Sequence, residues 1–202
     1  MKYQKTEFKT NFRIPLQWHE YKCIFVPIPK TGTTSIDLII NRPHSDNGHP
    51  DIIEIKGKLS PEEFKSYFKF SFVRNPWDRA VSIFINRPQF HGHTNFLDFI
   101  KSYTLASQYC RWPSPKKYQR DWLVDEDDNI IVDFIGRFEN LVEDFNTVCD
   151  KIGIQRSEFP HKNNRDSKKH YTTYYNKETI EIIRERFDKD IEYFGYNFEN
   201  NP

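Results

Sequence analysis

Much is missing from this sequence, and each absence narrows what the chain does. No apolar run approaches the length needed to span a bilayer, and the mean hydropathy of -0.81 fits a protein at home in water. The N-terminus, MKYQKTEFKTNFR, carries neither an apolar signal core nor a small-residue cleavage site. The expectation is therefore a cytoplasmic protein with no membrane span. Cysteine is scarce: Cys23, Cys110 and Cys149 are odd in number and far apart, which fits neither a disulfide framework nor a zinc site. As small buried hydrophobes they suit a reducing compartment. No sign of charge dominates, since 30 Lys and Arg face 29 Asp and Glu for a net +1. A global field for nucleic acid or an anionic membrane is thus excluded, and any anion site has to be built locally. Repeats, low-complexity tracts and linkers are absent too, and 202 residues suit one domain over 1–202 with a sizeable core.

What the chain does have is rings: 18 Phe and 11 Tyr predict an aromatic core. It also has alternating element signals. The apolar run 22–28, bounded by prolines, predicts a buried strand, and a helical pattern runs from Thr33 to about Ile40. Residues 43–51 have loop chemistry. Ser60, Pro61 and Glu63 form a cap, an N1 proline and an N3 acid, which start a helix. KFSFV at 69–73 predicts a second strand. Asn75-Pro76 opens a helix to about Asn86 by the same logic. Phe96, Phe99 and Ile100 share a helical face. Residues 119–138 suggest a hairpin turning at DEDDN, added to the main sheet. Helices are expected at about 139–151 and 177–188. Strand–helix–strand–helix order predicts an α/β fold with a central, mostly parallel sheet flanked by helices.

Residues 22–40 read KCIFVPIPKTGTTSIDLII. A helix that follows a parallel strand presents unpaired N–H groups and the positive end of its dipole, which is an anion site. Gly32 lets a ligand approach the backbone without a Cβ in the way. Thr33, Thr34 and Ser35 add hydroxyl donors, and Lys30 adds a full charge. The order is not that of the nucleotide-triphosphate loop, where lysine follows the last glycine. No acidic strand end offers to hold magnesium. A capped turn with a surface lysine would account for this stretch on its own.

A second stretch, FSFVRNPWDRAVSIF at 70–84, repeats the arrangement. A strand delivers Arg74 at its carboxyl end, and Arg79 and Ser82 lie a turn apart on the next helix. Arg74 can fork onto a phosphate, with Ser82 beside it. Trp77, Val81 and Phe84 suit the core. Two strand-end anion sites in one sheet ask for a ligand with phosphates at two separate positions.

This pair resembles the sulfotransferases that use 3′-phosphoadenosine-5′-phosphosulfate (PAPS). VPIPKTGTTS is similar to their 5′-phosphosulfate loop, and RNPWDRAVS fits their R-x-P-x-x-R-x-x-S element for the 3′-phosphate. The likeness continues through DFIGRFENLVEDF and YYNKETIEIIRERFDKDIEYFGYNF, and leans toward the carbohydrate sulfotransferase branch. It implies a P-loop-like three-layer fold. It implies PAPS bound by Lys30, Thr31, Gly32, Thr33, Thr34, Ser35, Arg74 and Ser82, with no metal. A basic loop near the C-terminus closes over the nucleotide in related enzymes, which makes Arg165, Lys168 and Lys169 candidates. It further implies sulfuryl transfer to a hydroxyl, most readily of a sugar or glycoconjugate. Lys30 would steady the bridging oxygen and a histidine would act as base. His49 lies between the two motifs and is the first choice, ahead of His93 and His91; Glu54 and Glu20 are carboxylate alternatives. A small-metabolite kinase would need a magnesium site and a Gly-Lys-Ser/Thr ending, and a non-catalytic binding module would keep the nucleotide without transferring anything.

Overall fold

A computed structural model of the chain describes residues 13–40, 48–110, 114–156 and 169–199. Arg165, Lys168 and most of the 43–51 loop lie outside the described residues. The chain begins with α1 (Leu16–Tyr21) and β1 (Cys23–Val26), all four of whose residues are buried. Then come α2 (Thr33–Ile39), α3 (Ile52–Lys56) and α4 (Pro61–Ser66). β2 (Phe68–Val73) leads into α5 (Pro76–Asn86), α6 (Pro88–His91) and α7 (Phe96–Ser102). β3 (Phe134–Arg137) is followed by α8 (Leu141–Ile152), α9 (Lys177–Arg186) and α10 (Asp188–Phe194).

The three strands form one parallel sheet in the order β1-β2-β3, flanked by helices. The α/β expectation holds. The register pairs Val26 with Ser71 and Val73 with Arg137, so all three strands end at the same edge. Ligands of parallel sheets bind at that edge. Local chemistry explains where the helices start. Asp51 with Glu54, and Ser60 with Glu63, close reciprocal capping boxes, and Asn75 caps α5 ahead of its N1 proline.

The core is the ring-rich one expected. Phe70 stacks on Phe25 with centroids 5.1 Å apart, and Phe145 of α8 tilts against Phe70 and Phe72. The three cysteines are free and buried. Among the described residues no helix is long and apolar enough to cross a membrane.

The expected hairpin at 119–138 is not there. Its first half contains a 3-10 turn at Arg120–Trp122, and only Val124 and Ile130 form an antiparallel bridge. The second half joins the main sheet as β3. Asp133 makes the switch: its N–H donates to the Lys69 carbonyl at 2.8 Å, and its carboxylate accepts from the Lys69 N–H at 2.7 Å. This two-way grip aligns residue 134 onward with β2 instead of with 119–124. The helix expected at 177–188 breaks at the buried Phe187, where φ is -114° and ψ 31°, giving α9 and α10.

Gly136 stands opposite Phe72 in the β2–β3 register. A Cβ there would lie 2.4 Å from the Phe72 ring, which is fully buried. Gly136→Ala should therefore destabilise the fold by about 1–3 kcal/mol through overpacking. Chemical denaturation would measure it; an unchanged midpoint would show that the ring yields.

Candidate active site

Two cation-bearing segments meet at the shared strand edge. β1 ends in Pro27-Ile28-Pro29, all buried, and the chain then turns through Lys30 with φ 71° and Gly32 with φ 89°. A left-handed lysine costs about 1 kcal/mol, so surrounding contacts must hold the turn. Two of these contacts are hydroxyls: Thr31 and Thr33 both donate to the Ile28 carbonyl, at 2.9 and 2.8 Å. These two side chains shape the loop by pointing back at it. Thr34 and Ser35, both half-buried, follow at the start of α2. Helix α2 then begins on Gly32, which has no side chain to cap it, whereas α3, α4, α5, α7 and α9 are each capped by an Asp, Ser or Asn. Of the first-turn amides of α2, that of Ser35 donates back to the Gly32 carbonyl at 3.0 Å, and no side chain caps this turn. A Cβ on Gly32 would meet Leu141 at 3.0 Å, so the loop lies against the start of α8.

Arg74 stands at the tip of β2 and is buried. Its Nη1 donates to the Lys30 carbonyl at 3.1 Å, and Nε and Nη2 both reach one oxygen of Asp78 at 2.8 Å. The guanidinium carbon lies over the Phe138 ring, 3.8 Å from its centroid. Three of its five donors are thus committed within the described residues. Arg79 is more deeply placed. Its Nε donates to the Pro29 carbonyl at 3.0 Å, its Nη1 to the Tyr103 hydroxyl at 3.0 Å and its Nη2 to the Ala106 carbonyl. The two arginines of one motif therefore hold the backbone of the other. Ser82, one turn beyond Arg79, is buried on the same helix.

His49 belongs to the same edge. Its Nδ1 lies 3.0 Å from the Pro27 carbonyl, and its own carbonyl accepts from Trp122 Nε1 at 3.0 Å. A carbonyl only accepts, so Nδ1 carries a proton, and in the neutral ring the lone pair is on Nε2. His93 is built into a different cluster. It stacks on His91 at 5.7 Å, and its Nε2 lies 2.9 Å from Ser102 Oγ. Ser102 donates to the Phe99 carbonyl and accepts from Tyr109, so His93 donates to it. Lys169 is exposed, and Glu54 is committed to the α3 capping box. No cluster of His, Cys, Asp or Glu among the described residues is arranged for a metal ion.

Some residues of this edge had no role assigned from sequence. Glu139 accepts from the Asn75 N–H at 2.6 Å and from the Tyr196 hydroxyl at 3.2 Å; burial pushes its carboxyl up, against the pull of the Asn75 amide and the Arg74 charge. Phe138 and Glu139 directly follow β3. Phe138 stands relative to β3 as Arg74 stands relative to β2, and reading 134–137 as a third parallel strand would have found both residues.

The comparison with known proteins fits this geometry. A profile described as the sulfotransferase family matches residues 17–197. The chain belongs to the sulfotransferase family. Carbohydrate sulfotransferase 10 from Xenopus laevis is 22% identical over 88% of this chain, and the human protein of that name 23%. The chain spans about two thirds of the length of these relatives, 65%. An uncharacterized protein of Archaeoglobus fulgidus is 33% identical over 104 residues, which is 50% of this chain and 79% of that one. No solved structure matches. The segments 22–40 and 70–84 both fall inside the matched region.

Arg79 supports three acceptors at once, and lysine reaches one. Arg79→Lys should lower stability by about 2–4 kcal/mol, because it strands buried acceptors although the charge is kept. Urea midpoints would check this, and a midpoint equal to wild type would rule out the bracing role.

Proposed function

We propose that this sulfotransferase takes its sulfuryl group from PAPS and transfers it to a hydroxyl of a carbohydrate or glycoconjugate. One observation carries the reading: the Arg74 guanidinium donates to the Lys30 carbonyl, which sets the two anion-seeking segments side by side at one sheet edge. A ligand with phosphates at both ends of an adenosine suits that spacing of charge. The residues fit such a ligand by their donor chemistry. α2 starts without a side-chain cap, Lys30 adds a cation at the same turn, and among the described residues Arg74 uses three of its five donors, on Asp78 and Lys30. PAPS supplies an activated sulfuryl group on the bridging oxygen of its 5′-phosphate.

The remaining work falls to the chain. The amides of residues 31–35, Thr34, Ser35 and Lys30 hold the 5′ end and offset charge that grows on the leaving oxygen. Arg74 and Ser82 hold the 3′-phosphate, which distinguishes PAPS from ATP. The Pro27 carbonyl keeps the Nδ1 proton of His49 in place, so Nε2 takes the proton of the acceptor hydroxyl. Positioning and fixed charge, rather than covalent chemistry, supply the rate. His93 stays outside this scheme, since its Nε2 serves Ser102. The carbohydrate acceptor rests on the relatives named carbohydrate sulfotransferase 10.

Sulfate transfer from labelled PAPS to a panel of oligosaccharides is the direct test. Lys30→Ala should cut kcat about 100-fold or more with a smaller change in KM, and His49→Gln should cut kcat by about the same factor. A His49→Gln rate equal to wild type would remove the histidine from catalysis. Nucleotide binding without transfer to any acceptor would favour the binding-module alternative.

A further inference from the structure

The sheet ends one residue too early for Arg74. The last β2–β3 pair is Val73 with Arg137, so the backbone N–H and C=O of Arg74 lie beyond the ladder, in a buried place. A single side chain takes over. Gln119 accepts from the Arg74 N–H through Oε1 at 3.0 Å and donates to the Arg74 carbonyl through Nε2 at 2.8 Å. A primary amide offers a donor and an acceptor side by side, so it reproduces the pairing edge of a neighbouring strand. Gln119 is fully buried.

Gln119 is itself fixed from the far end of the chain. Its N–H donates to Asp190 Oδ2 at 2.8 Å, its Nε2 lies 3.5 Å from the same oxygen, and the Arg120 N–H donates to Oδ1 at 3.1 Å. Asp190 sits on α10 and is 1% exposed. Burial pushes its carboxyl up to about 6, opposed by the Gln119 and Arg120 amides and the Arg79 charge. Tyr118 ties the same turn to α10 through Asp188 at 2.9 Å. A continuous path therefore runs from α10 through Asp190 and Gln119 to the Arg74 backbone, and from there to its guanidinium.

We propose that Gln119, held by Asp190, is a positioning residue for recognition of the 3′-phosphate: it sets the backbone of Arg74 and so the direction in which that guanidinium points. The proposal deepens the PAPS reading and rests on it. The Arg74 head is steered by Asp78, Lys30 and Phe138, but each of these acts on a group whose root, among the described residues, Gln119 secures on both sides. A small rotation at residue 74 moves the guanidinium away from any fixed phosphate and costs the lysine loop one contact, while the bonds from Thr31 and Thr33 to Ile28 and from Arg79 to Pro29 still hold that loop.

The test compares two nucleotides by calorimetry: adenosine 3′,5′-bisphosphate, which has the 3′-phosphate, and adenosine 5′-phosphate, which lacks it. Gln119→Glu keeps the shape but sets a second oxygen against the Arg74 carbonyl and Asp190. Its affinity for the bisphosphate should fall about tenfold, while affinity for the 5′-monophosphate stays within about twofold. Asp190→Asn, which leaves the Gln119 side chain in place, should shift the same ratio in the same direction. In an Arg74→Met background neither change should lower bisphosphate affinity further, as expected of residues acting through one group. Equal losses for both nucleotides, or a further loss without Arg74, would make the role merely structural and overturn the proposal. Wild-type protein that binds the two nucleotides equally would instead overturn the PAPS reading, and the proposal with it.

Discussion

One buried guanidinium lies between two strand tips, and the candidate site depends on it. Arg74 reaches back from β2 to the carbonyl of Lys30 on the loop after β1, while Arg79 from the following helix reaches the carbonyl of Pro29. Cations that hydrogen-bond to backbone carbonyls act as struts here. They fix a turn containing a left-handed lysine, which its own backbone preferences would not maintain. The same contacts concentrate positive charge at one edge of a chain whose net charge is only +1. Local geometry does what composition does not.

Carboxylates balance that charge without cancelling it. Asp78 holds the Nε–Nη2 edge of Arg74, and Glu139, just past β3, accepts from the Asn75 amide beyond β2. Each acid is engaged by donors from the motif itself, so the arginine is oriented before any ligand arrives. Preorganised charge is worth more than charge assembled at the moment of binding, because the ordering has been done during folding. Thr31 and Thr33 serve the same end by donating inward to Ile28.

Much of this could be read from the letters, wherever the physics was local. Ser60-Pro61-x-Glu63 and Asn75-Pro76 start helices at the residues expected, since caps depend on three or four neighbours. Buried strands β1 and β2, and the cationic residues at their ends, followed from apolar runs closed by Pro, Lys and Arg. β3 was hidden because its local pattern is that of a hairpin. Asp125 does turn the chain, accepting from Asp127 and Asn129, and Val124 does bridge to Ile130. A contact between Asp133 and Lys69, 64 residues apart, overrides it. Gln119 and Asp190 were invisible for the same reason: their meaning lies in partners 45 and 71 positions away. His49 was legible as a candidate, but its tautomer rests on a carbonyl 22 residues away.

A crystal structure with adenosine 3′,5′-bisphosphate bound is the most direct measurement of whether the two strand tips form one nucleotide site. The account predicts the 5′-phosphate against the amides of residues 31–35 and Lys30, with the 3′-phosphate within hydrogen-bonding distance of Arg74 and Ser82. Density for the nucleotide away from this edge, or a 3′-phosphate that touches neither residue, would contradict it.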